Sequence, residues 1–284
     1  MEALGYRSLS GGLAILLACL IPCRAAEESP RPLLSPGAAA QLDRQFPSQD
    51  ISYLLTNMEG TIVAERWTEA QLPISPGSLV KPFLAIAYGE QHDGVFPRAR
   101  CMGTRDRCWL PQGHGTLSLE EAIAQSCNAY FLQLATDLDR VRAAQTIARY
   151  GLAGPPETSS SETLMGLGDD WKETPLALAR AYLRIEREQR QPIQGRLIKG
   201  MQMAARRGTA RAVDASLGEN DAWAKTGTAM CSHFPHGAGD GFTVVFYPVG
   251  QPRLFLLVRV HGVVGAQSAK VAAEMLRSLG AGKQ

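Results

Sequence analysis

The chain reads as an α+β domain, with an antiparallel sheet built from both chain ends around an all-helical insert. Three observations carry that reading. Two β-rich runs, 51–58 and 61–67, stand near the start. Two more, 242–247 and 254–261, stand near the end, after a strand over 223–229 that holds Lys225-Thr226-Gly227. Between them the helix signals dominate, with caps and apolar stripes but no comparable β-branched run.

The elements follow in order. A short helix is expected over 38–46, then a hairpin whose turn is Glu59-Gly60. Pro73 to Gly77 forms a turn that delivers Ser78 to the start of a helix running towards Tyr88. Residues 98–115, rich in Gly, Cys and charge, read as loop. Ser118 and Glu121 make a capping box for a helix ending at Ser126, and Asn128 opens the next. That helix carries Tyr130, Phe131, Leu134 and Ala135 on an apolar stripe. Asp139 caps a further helix that stops at Gly151, and 154–161 is a Pro/Ser/Gly loop. Thr174-Pro175 starts the next helix as N-cap and first helical residue. A closing amphipathic helix over 266–279 follows the three C-terminal strands.

The first 26 residues read as an export signal rather than as part of the fold. Arg7 precedes an apolar stretch from Gly11 to Pro22, followed by small residues near Ala25 and Ala26. That stretch is short of the about 20 residues a spanning helix needs. The expected domains are therefore a signal peptide, 1–26, and one domain, 27–284, placed in the periplasm or otherwise outside the cytoplasm. Leu16-Leu17-Ala18-Cys19 loosely resembles a lipoprotein site, so a lipid anchor on Cys19 is an alternative. The formal net charge of +2 and the lack of any basic block argue against a nucleic-acid partner.

After removal of the leader four cysteines remain: Cys101, Cys108, Cys127 and Cys231. In an oxidising compartment Cys101 and Cys108 are disulfide candidates. A zinc site from Cys101, Cys108 and His114 competes, but its spacing fits no common zinc pattern, so no metal or other cofactor is expected. Cys127 and Cys231 read as small buried apolar residues. His233, His236 and Asp240 offer a further metal arrangement, though a solvated loop suits that segment better. His114, flanked by glycines, reads as a turn residue rather than a member of a Ser-His-Asp set.

The chemistry concentrates in three short pieces: Ser78-Leu79-Val80-Lys81, Ser126-Cys127-Asn128 and Lys225-Thr226-Gly227-Thr228. Each occurs often by chance. Ser78 could be a plain N-cap, Ser126 and Asn128 could merely break and restart a helix, and the Lys225 segment could be an ordinary strand end. In this order, and on these predicted elements, they form the signature of serine enzymes that attack D-Ala-D-Ala peptides or β-lactams. A serine hydroxyl needs a base, and Lys81 lies one helical turn beyond Ser78. Lysine can serve only if desolvation or another cation, here Lys225, favours its neutral form. Ser126 would relay protons, and Asn128 would hold Lys81 and a substrate amide. Lys225 and Thr226 would bind a terminal carboxylate, Gly227 would admit substrate backbone, and Thr228 with Ser78 would supply oxyanion N–H groups.

The chain resembles the transpeptidase domain of penicillin-binding proteins, within the superfamily that includes class D β-lactamases. The likeness runs over most of 53–279. Besides the three motifs it includes Gly113-His114-Gly115 with Leu117 and Ala122, Gly166-Leu167-Gly168, Thr174-Pro175-Leu176, Gly200-Met201 and Gly208-Thr209-Ala210. The resemblance implies acyl-serine chemistry on peptidoglycan stem peptides, as D,D-transpeptidase or D,D-carboxypeptidase, and covalent capture of β-lactams. A class D-like β-lactamase, or a non-catalytic β-lactam or peptidoglycan sensor or scaffold of the same fold, remains open. So does an envelope protein partner.

Overall fold

The structure, a computed structural model, describes Met1 and residues 33–67, 70–218, 222–231 and 237–282. The expected leader, Cys19, His233 and His236 lie outside the described residues. In chain order the elements are α1 (Ala38–Gln45), β1 (Ile51–Asn57), β2 (Ile62–Arg66), α2 (Lys81–Gln91), β3 (Ala99–Cys101), β4 (Gly115–Leu117), α3 (Leu119–Gln125), α4 (Asn128–Thr136), α5 (Arg140–Arg149) and α6 (Ser161–Leu164). They continue with α7 (Pro175–Arg187), α8 (Pro192–Arg207), α9 (Ala212–Leu217), β5 (Trp223–Ala229), β6 (Asp240–Tyr247), β7 (Leu254–His261) and α10 (Gly265–Ser278). No helix among the described residues is long and apolar enough to cross a membrane.

Five strands pair antiparallel in the order β2-β1-β7-β6-β5, so the N-terminal hairpin joins the C-terminal strands through β1 and β7. This is the sheet expected from both chain ends. Its central strands are covered on both faces, so β6 is buried along its whole length and its run Val244-Val245-Phe246 does not alternate with polar residues. Phe242, Val244, Phe246, Phe255 and Leu257 pack towards the helical insert. Val245, Tyr247, Leu254, Leu256 and Val258 pack towards α1, α9 and α10 on the opposite face. The result is a three-layer sandwich with the insert on one side.

Local signals placed most of the helices. Ser118 and Glu121 form the full capping box of α3, Asp139 caps α5, and Thr174 caps α7 with Pro175 in its first turn. Three departures matter. The segment expected as loop contains the short paired strands β3 and β4. Helices α8 and α9 fill a stretch to which the sequence reading assigns no element; Gly195 and Gly200 interrupt the stripe that α8 buries through Leu197, Met201 and Ala204. Ser78 stands in a one-turn 3-10 helix, Gly77–Val80, with Lys81 opening α2 behind it.

That 3-10 turn is tied down from two sides. The fully buried Tyr182 of α7 donates its hydroxyl proton to the Leu79 carbonyl at 2.7 Å. The buried Glu173 carboxylate accepts from Ala153 N, Gly154 N and Trp171 Nε1, while its backbone pairs with Ile74 ahead of the turn. Tyr182→Phe leaves the Leu79 carbonyl without its side-chain donor and should cost about 1–3 kcal/mol. Urea denaturation of the variant beside wild type measures it, and an unchanged midpoint would deny this tie.

Candidate active site

The edge strand β5 carries Trp223, Lys225 and Gly227 on one face by strand alternation, and that face looks into the helical insert. Gly227 is where the strand meets the Ser78 turn. A Cβ there would lie 3.1 Å from the Pro76 oxygen and 3.2 Å from Leu79 N. Its lack of a side chain therefore serves the packing of the protein's own 3-10 turn, not only the approach of a substrate backbone. Across the contact Gly77 has φ 55°, and a Cβ on it would lie 2.5 Å from the Thr228 oxygen. Two glycines thus bring Ser78 against β5.

Ser126 is the C-cap of α3, in the left-handed region with φ 49°. This conformation turns the chain sharply, so that Cys127 enters the core and Asn128 begins α4. Lys81, fully buried, donates to the Ser126 carbonyl at 2.9 Å, the Ser126 hydroxyl at 3.5 Å and Asn128 Oδ1 at 2.6 Å. Lys225, also fully buried, donates to Ser126 Oγ at 2.8 Å and to the Thr226 carbonyl at 2.6 Å. The amide of Asn128 donates to the Arg107 carbonyl at 3.3 Å. All three motifs therefore meet, and their meeting point is the Ser126 hydroxyl.

Burial lowers Lys81 to about 7, and any thiolate character at Cys127 or Cys108 opposes that shift. Burial also pushes Lys225 well down, reinforced by repulsion from Lys81. Ser78 is half-buried and makes no hydrogen bond through its hydroxyl among the described residues. It borders a cavity of about 380 Å³ whose wall includes Trp109, Ser126, Asn128, Thr226 and Thr228. The first i→i−3 bond of its turn runs from Leu79 N to the Pro76 carbonyl, so the Ser78 N–H precedes the helical ladder.

The structure alters several expectations. Lys225 is buried behind the cavity wall, so the hydroxyls in front of it, not its ammonium, face a ligand. Thr209, in the stretch before β5, shares a 2.6 Å hydrogen bond with Thr226 and lines the same cavity. Trp109 also lines it and donates its indole N–H to the Gln125 carbonyl at 3.1 Å. Both were missed as site residues. Thr209 sat in a stretch that carried the family resemblance, whereas a lone exposed Trp in a loop carries no signal.

The Cys101–Cys108 disulfide does not form: the four cysteines of the described residues are all free. The end of β3 and the turn after it aim both thiols at one imidazole, Cys101 Sγ lying 3.6 Å and Cys108 Sγ 3.4 Å from His114 Nδ1. Asp240 pairs with His261 at 2.7 Å at the end of the sheet. The histidines expected beside it are outside the described residues.

The sequence model described as "Penicillin binding protein transpeptidase domain" matches residues 56–280. The chain belongs to that family. No curated protein matches it. Among solved structures it is similar to PBP2 of Pseudomonas aeruginosa, at TM-score 0.70 and 20% identity over 87% of this chain and 73% of that one. It is also similar to the transpeptidase domain of penicillin-binding protein 3 of Burkholderia pseudomallei, at TM-score 0.68 and 17% identity over 86% and 92%. PBP2 of Helicobacter pylori, solved as a complex with MreC, matches at TM-score 0.68 and 15% identity over 84% and 62%. These identities speak for the fold, and the family match for a penicillin-binding-protein type of enzyme acting on peptidoglycan.

The depressed lysine has a thermodynamic consequence. Between about pH 7 and 10.5 an unfolded Lys81 holds a proton that the folded one lacks. Unfolding then takes up protons, and stability rises with pH across that window. The urea midpoint should climb from pH 7 to 9 in the wild type and climb less in Lys81→Met. Parallel curves for the two proteins would contradict a depressed Lys81.

Proposed function

We propose that this chain is a serine acyltransferase of peptidoglycan stem peptides, a D,D-transpeptidase or D,D-carboxypeptidase that works through an acyl-enzyme on Ser78. The observation that carries the reading is one hydroxyl, Ser126 Oγ, held by two buried lysines beside an open cavity that the unpartnered Ser78 hydroxyl borders.

In this scheme neutral Lys81 takes the Ser78 proton as Oγ attacks the carbonyl carbon of the D-Ala-D-Ala bond or the β-lactam ring. The carbonyl oxygen becomes an oxyanion facing the N–H groups of Ser78 and Thr228. As the C–N bond breaks, Ser126 gives its proton to the leaving nitrogen and regains one from a lysine. An amine or water then takes the acyl group and restores Ser78. The substrate carboxylate would lie against the hydroxyls of Thr226 and Thr228, with Lys225 buried behind them. Lys225 thus acts mainly through Ser126.

Such substrates lie outside the cytoplasm, in keeping with the basic-then-apolar N-terminus, and we place the chain there. A domain of this kind must also be positioned on the wall. The complex of Helicobacter pylori PBP2 with MreC makes an envelope protein a reasonable partner class.

Incubation with fluorescent penicillin followed by intact mass measurement should give one adduct on wild type and none on Ser78→Ala. Wild type without an adduct, under conditions that label another family member, would remove the proposal. Released D-Ala from a pentapeptide separates an enzyme from a sensor, and rapid nitrocefin turnover would instead favour the β-lactamase reading.

The lysines should differ. Lys81→Ala removes the base and should slow acylation by at least ~10²–10⁴-fold. Lys225→Ala should retain some acylation, with weaker capture of carboxylate-bearing ligands. In wild type the acylation rate should rise with pH through about 7, as Lys81 loses its proton. A Lys81→Ala protein that acylates like wild type would show that another group is the base.

A further inference from the structure

Four potential ligand atoms converge beneath the Ser126–Asn128 segment. They are the thiols of Cys101, Cys108 and Cys127 and an imidazole nitrogen of His114, all within 4.8 Å of one another. Cys101 comes from β3, Cys108 and His114 from the loop between β3 and β4, and Cys127 from the junction of α3 and α4. The three cysteines are buried and His114 is partly so.

The distances are those of a coordination shell. A tetrahedral zinc with bonds of about 2.3 Å to sulfur and about 2.0–2.1 Å to nitrogen has S···S edges near ~3.8 Å and S···N edges near ~3.6 Å. Here Cys108 Sγ stands 3.8 Å from Cys127 Sγ. His114 Nδ1 stands 3.6 Å from Cys101 Sγ and 3.4 Å from Cys108 Sγ. Ordinary apolar packing of thiols gives no reason for one ring nitrogen to face two sulfurs at these separations. A closed set of three thiolates and one imidazole suits a structural zinc, because no ligand position is left for water.

We propose that Cys101, Cys108, Cys127 and His114 bind one zinc ion, and that this ion holds the Ser126–Asn128 segment in register with the loop before β4. The sequence hides the site because its fourth ligand, Cys127, lies beyond α3 and inside a motif that already has another meaning. Zinc displaces the three thiol protons as it binds, so loading releases acid. The mechanical link is short. Cys127 is bonded to Ser126 and Asn128, Asn128 donates to the Arg107 carbonyl next to Cys108, and Trp109 donates to Gln125 next to Ser126. Both sides of the cluster thus reach the active-site wall, yet no ligand touches the cavity. The four residues act as positioning residues.

The test uses the whole chain, produced with zinc and kept reduced, and reads metal rather than acylation. Elemental analysis should find about one zinc per chain, as a closed four-ligand site requires. Cobalt exchanged into the wild type should show thiolate-to-cobalt charge transfer and the intense visible bands of tetrahedral geometry. Cys108→Ser and His114→Ala should lose or sharply weaken those signals. Should these variants fail to fold, a thiol-alkylation count on wild type serves instead: thiols shielded before a strong chelator is added and reactive after it.

Zinc-free protein with a Cys–Cys mass loss of two hydrogens, or cobalt bands lacking thiolate character, would overturn the site. Hydrogen exchange at 126–128 should accelerate on chelation and recover on adding zinc. Metal bound with no change in that exchange would overturn the positioning role. Because the readout is metal and exchange, failure of either part is distinct from failure of the acyltransferase reading.

Discussion

Two lysine amines brought out of water onto one serine hydroxyl set the terms for the rest of this structure. Removing an ammonium from water costs several kcal/mol even after relaxation, and here two share one acceptor. Such an arrangement holds only if their acceptors are supplied by rigid elements and the neutral forms are within reach. The left-handed turn at Ser126 provides a carbonyl and a hydroxyl together, Asn128 adds an amide oxygen, and Thr226 closes the shell around Lys225. Proton mobility at this site is therefore a product of burial.

The three-layer fold makes that burial possible. A sheet covered on only one face would leave β5 wet on the side that carries the cavity wall. Here the insert covers one face, while α10 and α9 cover the other. The Ser78 turn sits against the sheet edge through Gly77 and Gly227, and Tyr182 fixes it from behind. Ser78 stays half-exposed because the turn presents it outward, while Lys81 three residues later enters the core.

The loop between β3 and β4 links these parts. Its carbonyl at Arg107 orients Asn128, its Trp109 borders the cavity, and its Cys108 thiol meets that of Cys127. A segment that reads as irregular is thus part of the frame for the second motif. Its compactness comes from contacts across the chain, since strands of three residues hold little by themselves.

Much of the domain was legible from residue order. Caps at Ser118, Asp139 and Thr174 act through the nearest backbone amides, so their meaning is local and survives in the sequence. The same holds for β6 and β7, whose β-branched and aromatic runs declare strands, and for three motifs whose order identifies a family and places β5. What the sequence could not settle depended on groups distant along the chain. Whether Lys225 faces a ligand or lies behind Ser126 is decided by how deeply β5 packs under the insert. Whether Cys101 joins Cys108 or faces His114 is decided by where the loop turns its side chains. Charge state, burial and the convergence of thiols are properties of position in space, and only the folded chain brings residues 81, 126 and 225 to one hydroxyl.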